Sequence, residues 1–323
     1  MRAVQVIETT GPAGCRLAEI EEPVAPEGGV LVEVRSAGLS FPDLLLTLGL
    51  YQERPPLPFT LGVEAAGVVR EAAPGSGFGP GDRVCAFGQG SCAELMAVSA
   101  STICRMPEGL SFDEGSGLVL NYHTAHFALL RRGRLRAGET LLVHGAAGGV
   151  GTAAVQVGKG YGARVIAVVS TETKAALARR AGADEVVMVE PDWRSEVMEL
   201  TGGRGADVIF DPVGGERFKQ SLRAIAPEGR LVVIGFAEGA IPEVGANRIL
   251  FKNADVVGAA WGAFLRHHPE ITTEIAADLE RLVAAGTVRP LVTSTYPLEE
   301  FAAGLAEIGE RRVLGKVALH VSG

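Results

Sequence analysis

The chain has 323 residues, a formal net charge of −8 and a composition that is 47% hydrophobic. A chain of this length usually divides into more than one hydrophobic core, so the sequence predicts two domains. The acidic balance argues against a function on nucleic acid or on anionic membrane surfaces, because both require a basic protein face. We therefore expect the partners to be small molecules or protein.

The cysteines and the first residues bear on the cellular compartment. Cys15, Cys85, Cys92 and Cys104 have no paired spacing, which favours reduced thiols over a disulfide scaffold in a chain of this length. The opening MRAVQVIETTGPAG has no apolar core behind basic residues, so no signal peptide is expected. The uncharged stretch near residue 145 is interrupted by glycines and predicts no membrane span. A cytoplasmic protein is the expectation.

The segment up to residue 115 is predicted to be a β-rich domain, similar to a barrel or a sandwich. Its short apolar runs are bounded by Gly or Pro, as expected for strands joined by tight turns: VQVIE, GVLVEVRSAG, EAAGVVREAA and GDRVCAFG. One helix is expected within FPDLLLTLGLY, where Pro42 suits a first helical turn.

A second pattern begins at Ser111, which is predicted to form a capping box with Glu114 and to open an amphipathic stretch to about Leu130. From Thr140 onward apolar strands alternate with helices, and the strands are LLVHG, RVIAVVS, EVVMV, ADVIFDPVG, GRLVVIG and DVVGAAWG. Continuous Val, Ile and Leu runs are typical of strands that helices cover on both faces. The repeated unit predicts a parallel, doubly wound sheet.

The C-terminal part is predicted to return to the first domain. A helix from Glu270 to Ala285 should end at Gly286, and the remaining residues have a strand–helix–strand pattern. The predicted fold class is therefore α/β. The first domain comprises residues 1–115 and is completed by residues 287–323, and the second comprises residues 116–286.

The most informative motif is LLVHGAAGGVG, residues 141–151. A dinucleotide pyrophosphate requires a tight strand-to-helix turn, close approach of the backbone and a helix N-terminus with free N–H groups. Ala146, Gly148 and Gly151 occupy the three fingerprint positions, and alanine at the first departs from the strict motif. A tight turn without a ligand is the alternative. The predicted cofactor-binding residues of this turn are Ala147, Gly148, Gly149, Val150 and Gly151.

The end of the next predicted strand bears on the choice between NADPH and NADH. An NAD site places an acidic residue about 20 residues after the last glycine. This chain has Val169 and Ser170 there. A carboxylate would repel a 2′-phosphate, whereas the Ser170 hydroxyl and the Lys174 ammonium would bind it. Glu172 lies nearby and opposes this interpretation, and a solvated helix charge is the alternative role of Lys174. The pattern favours NADPH.

Four ordered segments resemble one known family. AGLSFPDLLLTLGLY, PLPFTLGVEAAGVV, HGAAGGVG and VIFDPVGG are similar to the zinc-independent quinone oxidoreductase branch of the medium-chain dehydrogenase/reductase superfamily, and the similarity spans essentially the whole chain. The resemblance implies a GroES-like catalytic domain, a Rossmann domain and a homodimer. The apolar segment DVVGAAWG also suits an edge strand, which must be paired or covered.

The positions of zinc ligands differ from those of the zinc enzymes of that superfamily. The resemblance places Ser40 where the zinc alcohol dehydrogenases have a Cys ligand, and Gly62–Glu64 where they have G-H-E, so Val63 replaces the histidine. The other cysteines have the wrong spacing for a structural zinc. His123 and His126 could share a helix face, but no third ligand accompanies them. We therefore predict a protein without zinc.

The resemblance also assigns site residues. It places Ser40, Phe41, Asp43 and Tyr51 in or beside the substrate cleft and Thr124 near the nicotinamide. The alternatives are core packing for the two aromatic residues and an early-helix charge for Asp43. A turn cap is the alternative for the aspartate before Pro-Val-Gly. The implied positions on the cofactor side are Asp211, Val213, Gly214, Gly235, Phe236, Gly315 and Lys316.

The predicted chemistry is hydride transfer from NADPH to a quinone or a similar conjugated electrophile. Without zinc there is no Lewis acid to polarise a simple carbonyl, and a conjugated acceptor needs less help because negative charge delocalises. Ser40, Tyr51 and Thr124 are the candidate hydroxyls for a compensating hydrogen bond or proton. An alkenal or enoyl-thioester reductase is the alternative on the same scaffold. A non-catalytic NADPH-binding protein is the alternative from another class.

Overall fold

A computed structural model describes residues 1–321, and these contain the following elements. The strands are β1 Arg2–Val6, β2 Cys15–Glu19, β3 Gly29–Leu39, β4 Phe59–Thr60, β5 Glu64–Ala72, β6 Arg83–Phe87, β7 Leu95–Ser99, β8 Ile103–Arg105, β9 Thr140–His144, β10 Arg164–Val169, β11 Glu185–Met188, β12 Ala206–Asp211, β13 Ile225–Val233, β14 Asp255–Gly258, β15 Val292–Pro297 and β16 Lys316–His320. The helices are α1 Phe41–Thr47, α2 Phe112–Gly115, α3 Thr124–His126, α4 Gly149–Gly160, α5 Glu172–Arg180, α6 Trp193–Leu200, α7 Gly215–Ala224, α8 Ala246–Lys252, α9 Trp261–Leu265, α10 Ile271–Ala284 and α11 Phe301–Gly309.

The contacts divide the chain into two compact units. The first comprises Met1–Leu120, His268–Glu280 and the chain from Pro290 onward, and the second comprises Asn121–His267 and Arg281–Arg289. The boundaries expected from the sequence instead group residues 116–120 and 268–280 with the second unit. Hydrophobic periodicity marks where a helix begins and ends, but it does not indicate which core the side chains of that helix join.

The first unit is built on a seven-stranded sheet and a three-stranded sheet. The larger sheet has the order β15-β16-β3-β5-β6-β8, with β7 also paired to β3, and the smaller has the order β2-β1-β4. The C-terminal strand β16 is antiparallel to β3, with Val317 opposite Leu39. Apolar side chains from β3, β5, β6, β16 and α11 share one core, including Val32, Leu305 and Leu319. The β-rich character predicted for this part is confirmed.

The second unit contains a six-stranded, wholly parallel sheet of order β11-β10-β9-β12-β13-β14. Residues of β9, β10 and β12 are almost completely buried, as expected for strands covered on both faces. The predicted doubly wound sheet is confirmed. The strand order reverses between β9 and β12, and ligands of open α/β sheets bind outside the carboxyl ends of the strands at such a point.

The chain segment that precedes β9 departs from the predicted amphipathic stretch. The capping box is present, since Ser111 and Glu114 exchange hydrogen bonds of 2.8 and 3.2 Å. However, α2 ends at Gly115, and π-helical segments occupy Val119–His123 and Phe127–Arg132 on either side of α3. A Cβ on Gly115 would lie 2.5 Å from the Met106 sulfur. Tertiary packing therefore overrides the helical periodicity here.

The long helix near the C-terminus agrees with the sequence. It was expected from Glu270 to Ala285, and α10 spans Ile271–Ala284. Gly286 has a φ of +72°, the left-handed conformation that terminates many helices. Within residues 1–321, no helix combines the length and the apolar character that a membrane crossing requires.

Candidate functional site

The turn between β9 and α4 brings two backbone segments into unusually close contact. Gly145 has a φ of +59°, and the Gly148 N–H donates to the Gly145 carbonyl oxygen at 3.0 Å. A Cβ on Gly151 would lie 2.1 Å from that same oxygen. No side chain fits there, so the third fingerprint glycine is required for the first turn of α4 to pack on the end of β9.

The same turn leaves its backbone open at the helix N-terminus. Gly148 is the N-cap of α4 and has no side chain to cap it, and a Cβ there would meet only the Gly145 oxygen, at 3.6 Å. The first N–H groups of an α-helix have no intrahelical partner. With the helix dipole, they form a site for an anion. Ala147 is buried, whereas Gly149 and Val150 are half-buried.

One residue beside this turn was missed by the sequence analysis. The side chain of Asn121 lies against the first residue of α4, because a Cβ on Gly149 would be 2.6 Å from its Nδ2 atom. Asn121 is itself buried. It is 28 positions before Gly149, and no local pattern links the two residues, so only the folded chain identifies the contact.

The next strand end, after β12, carries a buried carboxylate. The Asp211 Oδ1 atom accepts hydrogen bonds from the N–H groups of Val213 at 2.8 Å and Gly214 at 3.0 Å. Its Oδ2 atom is buried without a hydrogen-bond partner among the described residues. Burial raises the pKa of Asp211 above its ordinary value, and the two backbone hydrogen bonds oppose this. The turn cap, which was the alternative from the sequence, is present at Oδ1, and a role of Oδ2 beside the nicotinamide ribose stays a prediction.

The turn after β13 is joined to the turn after β12. The Ala237 N–H donates to the Pro212 oxygen at 3.0 Å, and the Glu238 N–H donates to the Val213 oxygen at 2.9 Å. Gly235 is half-buried and Phe236 is more than one-third exposed. A Cβ on Gly214 would lie 3.0 Å from the Phe236 ring. The structure thus brings these predicted residues together at one edge of the sheet.

The end of β10 presents Ser170 and Lys174, with 3.5 Å between the Lys174 Nζ and Ser170 Oγ atoms. Ser170 is exposed and Lys174 is half-buried. The carboxylate of Glu172, which the sequence analysis left as a competing influence, is paired with Arg179 at 2.7 Å. Its charge is therefore partly compensated by a residue of its own helix.

Thr124 and the two nearby histidines lie on the helical region that precedes β9. Thr124 is half-buried and begins α3. His123 packs edge-on against Trp261, with ring centroids 5.3 Å apart, and His126 packs against Tyr161 at 5.7 Å. Throughout residues 1–321, no cluster of three or more His, Cys, Asp or Glu side chains has the arrangement of a metal site. Both histidines pack against aromatic rings, and the His126 Nε2 atom also lies 3.1 Å from the Tyr161 hydroxyl oxygen.

The first unit contains a buried ion pair that the sequence analysis did not foresee. The Lys316 ammonium donates to the Glu64 carboxylate and to the Ser40 hydroxyl, the latter at 2.5 Å. Ser40 also donates to Glu64 at 3.1 Å. Lys316 and Glu64 are 3% and 1% exposed, whereas Ser40 is half-buried. The one signal of this ion pair in the sequence was Glu64 within the apolar segment GVEAAGVV, because a buried, ionised carboxylate requires a compensating cation.

This arrangement bears on the role expected for Gly315 and Lys316. The resemblance places Gly315 and Lys316 at the phosphates of a cofactor, but the Lys316 ammonium is buried and bonded to Glu64 and Ser40. Two of the three donors of this ammonium are directed at Glu64 and Ser40, and a contact of Lys316 with the cofactor phosphates stays a prediction. Gly315 has a φ of +66° and its Cβ would lie 2.1 Å from the Leu291 oxygen, so it serves the backbone turn before β16.

Asp43 lies at the start of α1, beside the same group of residues. Its Oδ2 atom accepts from the Ser40 N–H at 2.7 Å, which closes the first turn of the helix. Its Oδ1 atom has no hydrogen-bond partner among the described residues, and the residue is fully buried. Burial raises the pKa of Asp43 from its ordinary value of 3.8 to about 7, and the Lys316 charge opposes this. The sequence alternative for Asp43 was a charge that only interacts with the start of the helix. The structure instead shows a buried carboxyl close to the charge of Lys316.

The two predicted aromatic residues differ in their surroundings. Phe41 is the first residue of α1 and is 37% exposed. Tyr51 follows this helix, is half-buried and packs against the core of the first unit. The first unit therefore gathers Ser40 and Asp43 with Glu64, whereas Tyr51 belongs in part to the core, which was the alternative.

Comparison with known proteins agrees with this architecture. Residues 26–131 match the family model of the alcohol dehydrogenase GroES-like domain, and residues 149–280 match that of the zinc-binding dehydrogenases. Quinone oxidoreductase-like protein 2 of Rattus norvegicus is 36% identical over 92% of this chain and 86% of its own length. A probable oxidoreductase from Mycobacterium abscessus has 45% identity and a TM-score of 0.91, with 99% of each chain covered. The Escherichia coli quinone oxidoreductase complexed with NADPH has 29% identity and a TM-score of 0.91, over 99% of this chain and 100% of that one.

The two matched domains define the class, an oxidoreductase with a GroES-like domain and a Rossmann-like domain. The chain belongs to the quinone oxidoreductase family of the medium-chain dehydrogenase/reductase superfamily and is a quinone oxidoreductase-like enzyme.

A pair of glycine substitutions tests the turn after β9. We expect Gly151→Ala to lower the free energy of unfolding by about 1–3 kcal/mol, because the added methyl group overlaps a backbone oxygen. Gly148→Ala should change the stability little, because the space beside Gly148 is open. Urea denaturation of both variants measures the difference. Equal stability of the two variants would contradict this account of the turn.

The raised pKa of Asp43 predicts a pH-dependent stability. Folding favours the protonated carboxyl, so its contribution is complete below pH 3.8 and is lost as the pH rises through about 7. Relative to Asp43→Asn, the wild type should lose roughly 4 kcal/mol at most over this range. Urea titrations between pH 3.5 and pH 8 measure it, with Glu27→Gln as the exposed control. A parallel pH dependence of the wild type and Asp43→Asn would contradict the assignment.

Proposed function

We propose that the chain is an NADPH-dependent reductase that transfers hydride to a quinone or a similar conjugated electrophile without a metal ion. The observation that carries this proposal is the open N-terminus of α4 at the point where the strand order reverses. The names of the relatives support the acceptor class, and the NADPH complex of the Escherichia coli relative supports the cofactor.

The residues at this edge of the sheet fit a dinucleotide. A cradle without side chains lies at Gly148, and the backbone N–H groups from Gly149 to Gly151 would hold the pyrophosphate. The buried Oδ2 atom of Asp211 has an unused acceptor, which suits a ribose hydroxyl at the neighbouring strand end. When bound, NADPH supplies the hydride.

The preference for NADPH over NADH is supported by the end of β10. Val169 ends the strand in place of the acidic residue that binds a ribose 2′-hydroxyl. Ser170 and Lys174 offer a hydroxyl and an ammonium to a 2′-phosphate. Glu172 would oppose a phosphate, and its pairing with Arg179 reduces this effect.

The absence of a resident zinc is supported by the chemistry of the residues at the ligand positions. Ser40 is a poor zinc ligand, Val63 is none, and the Lys316 ammonium is bonded to the Ser40 oxygen. These residues do not fit zinc, and the chemistry is therefore assigned to an acceptor that delocalises the charge it receives. The matched zinc-binding dehydrogenase model covers residues 149–280 and contains neither position.

A panel of acceptors tests the proposed function. The oxidation of NADPH is followed at 340 nm with 1,4-benzoquinone, 9,10-phenanthrenequinone, a 2-alkenal and crotonyl-CoA. We expect turnover with the quinones. Turnover with the alkenal or the thioester alone would transfer the assignment to the alternative reductases. NADPH binding without turnover of any acceptor would support the non-catalytic alternative.

We also propose that the protein is a homodimer, joined along β14. Within residues 1–321 this strand is the edge of the six-stranded sheet and pairs with β13 alone. Large apolar side chains near it are exposed, with Phe251 80%, Leu250 69% and Val256 37% accessible. An open edge strand beside apolar side chains must be covered or paired, and a second copy would provide both.

Removal of one lysine tests the cofactor preference. A charge-assisted contact contributes about 1.5–3 kcal/mol, so Lys174→Ala should weaken NADPH binding roughly ten- to a hundredfold. NADH binding should hardly change, because NADH has no 2′-phosphate. Nicotinamide fluorescence titrations measure both affinities. Lys219→Ala is the matched control, since Lys219 is an exposed helix lysine paired with Glu216. Equal losses for the two cofactors would assign Lys174 to the fold, and a wild-type preference for NADH would assign control of the pocket to Glu172.

Introduction of a charge tests the dimer. We expect Val256→Lys to convert a dimer into a monomer, because the added ammonium would lie on the edge strand that pairs the two copies. Light scattering coupled to size-exclusion chromatography measures the mass. Val24→Lys is the control, since Val24 is 88% exposed and lies in the first unit. A wild-type protein that remains monomeric at micromolar concentration would refute the proposal.

A further inference from the structure

A buried cation donates to the hydroxyl of Ser40, which is the half-buried member of the cluster formed by Ser40, Glu64 and Lys316. We propose that Lys316 acts through Ser40 to stabilise the negative charge that develops on an oxygen of the acceptor, and so supplies the positive charge that a metal ion supplies in the zinc dehydrogenases. This inference rests on the proposed reduction of a quinone or similar acceptor.

The cluster is closed on every side except that of Ser40. Both carboxylate oxygens of Glu64 are held, because Oε1 accepts from Lys316 and Ser40 and Oε2 accepts from the Leu120 N–H at 2.9 Å. Lys316 and Glu64 are almost completely buried, and Ser40 is half-buried. A ligand oxygen can therefore reach the ammonium charge only by way of the Ser40 hydroxyl.

The path of the lysine side chain is shaped by two glycines. A Cβ on Gly38 would lie 2.7 Å from the Lys316 Cε atom, and a Cβ on Gly117 would lie 3.1 Å from its Cγ atom. Larger residues at either position would displace the side chain. The ammonium is thus held in one place, which is the arrangement required for a charge that stabilises a transition state without reorganising.

The same geometry explains why the cluster does not suit zinc. A zinc ion at Ser40 would need an oxygen lone pair that accepts from Lys316, and it would lie beside a like charge. Glu64 neutralises the ammonium without removing its local field from Ser40, because Ser40 lies within hydrogen-bond distance of both groups. In this chain the positive charge beside Ser40 belongs to the Lys316 side chain and not to a bound metal ion.

The chemical step needs no change in the charge of Lys316. Hydride brings two electrons and one hydrogen to the quinone and produces a hydroquinone monoanion. The Ser40 hydroxyl turns its hydrogen from Glu64 to the anionic oxygen while it continues to accept from Lys316. After release, the product takes its second proton from water. Ser40 contacts the substrate and is a catalytic residue in this scheme, and Lys316 is a positioning residue.

The test compares variants across acceptors of increasing basicity: 1,4-benzoquinone, 2,6-dimethyl-1,4-benzoquinone and tetramethyl-1,4-benzoquinone. Loss of one donor to a developing oxyanion lowers kcat by about a hundredfold or more, which is the loss expected for Ser40→Ala. Methyl groups raise the basicity of the reduced oxygen, so the loss should grow along the series. The affinity for NADPH, measured by fluorescence, should remain within about twofold of the wild type.

Lys316 is tested without leaving a buried carboxylate unpaired. Lys316→Met alone would leave the buried Glu64 carboxylate without its cation, which destabilises the fold. The main variant is therefore the double substitution Lys316→Met with Glu64→Gln. It should reproduce the acceptor dependence of Ser40→Ala. Lys219→Met is the control, because Lys219 is an exposed lysine paired with Glu216, and its kcat should equal that of the wild type.

The outcomes separate this inference from the proposed function. Wild-type turnover with an unchanged kcat in both test variants, or with an equal loss for all three quinones, would overturn the inference alone. A loss of NADPH affinity in the double variant would indicate that Lys316 contacts the cofactor phosphates, and this result would also overturn the inference. Stoichiometric zinc in the purified wild type by elemental analysis would do the same. A wild type that reduces no quinone would overturn the proposed function and the inference together.

Discussion

An ionised carboxylate that is 1% exposed, as Glu64 is, needs a compensating cation, and in the first unit this constraint ties together four segments of the chain. Glu64 is the first residue of β5, and Lys316 is the first residue of β16. Ser40 lies between β3 and α1, and the Leu120 N–H closes the arrangement. Removal of one partner of such a pair typically costs about 3–5 kcal/mol, so the position of the Ser40 hydroxyl is tied to the stability of the unit.

In the second unit the constraint is geometric. Parallel strands end at one edge, and the reversal of strand order between β9 and β12 leaves the turns that follow them beside each other. Val213 is within van der Waals reach of a Cβ placed on Gly145, which shows that the two turns adjoin. The backbone contact at Gly151 then aims the N-terminus of α4 at this edge. Binding of an anion there uses main-chain groups that the fold itself supplies.

The sequence predicted those features that local chemistry determines. The apolar runs of β9, β10 and β12 predicted the buried parallel strands, and the glycine spacing predicted the turn before α4. The helix α1 was also predicted, because Pro42 suits a first helical turn. Each of these signals lies within a few residues of the structure that it forms.

The features that escaped prediction depend on distant residues. Lys316 and Glu64 are 252 positions apart, and nothing near Lys316 distinguishes a buried partner of a carboxylate from a phosphate contact. Asn121 and the turn at Gly149 are likewise separated along the chain, and no local pattern links them. The division of α10 between two units also depends on packing, because periodicity is the same on either side of Glu280. Sequence reasoning therefore found the scaffold of the cofactor site more completely than the charges of the first unit.

The two units place positive charge in physically different ways, and this difference bears on their roles. At the start of α4 the charge is partial, comes from backbone N–H groups and is open to a ligand, so it can bind a phosphate and release it. Beside Ser40 the charge is whole, buried and neutralised by Glu64. Burial also raises the pKa of Asp43 to about 7, so below that pH the Asp43 carboxyl adds no negative charge near Lys316. A charge paired with an opposite one acts strongly within a few ångströms and weakly beyond them, because the fields of Lys316 and Glu64 largely cancel at longer range. Such a charge contributes little to the capture of a ligand from solution and much to an oxygen that becomes anionic in contact with Ser40.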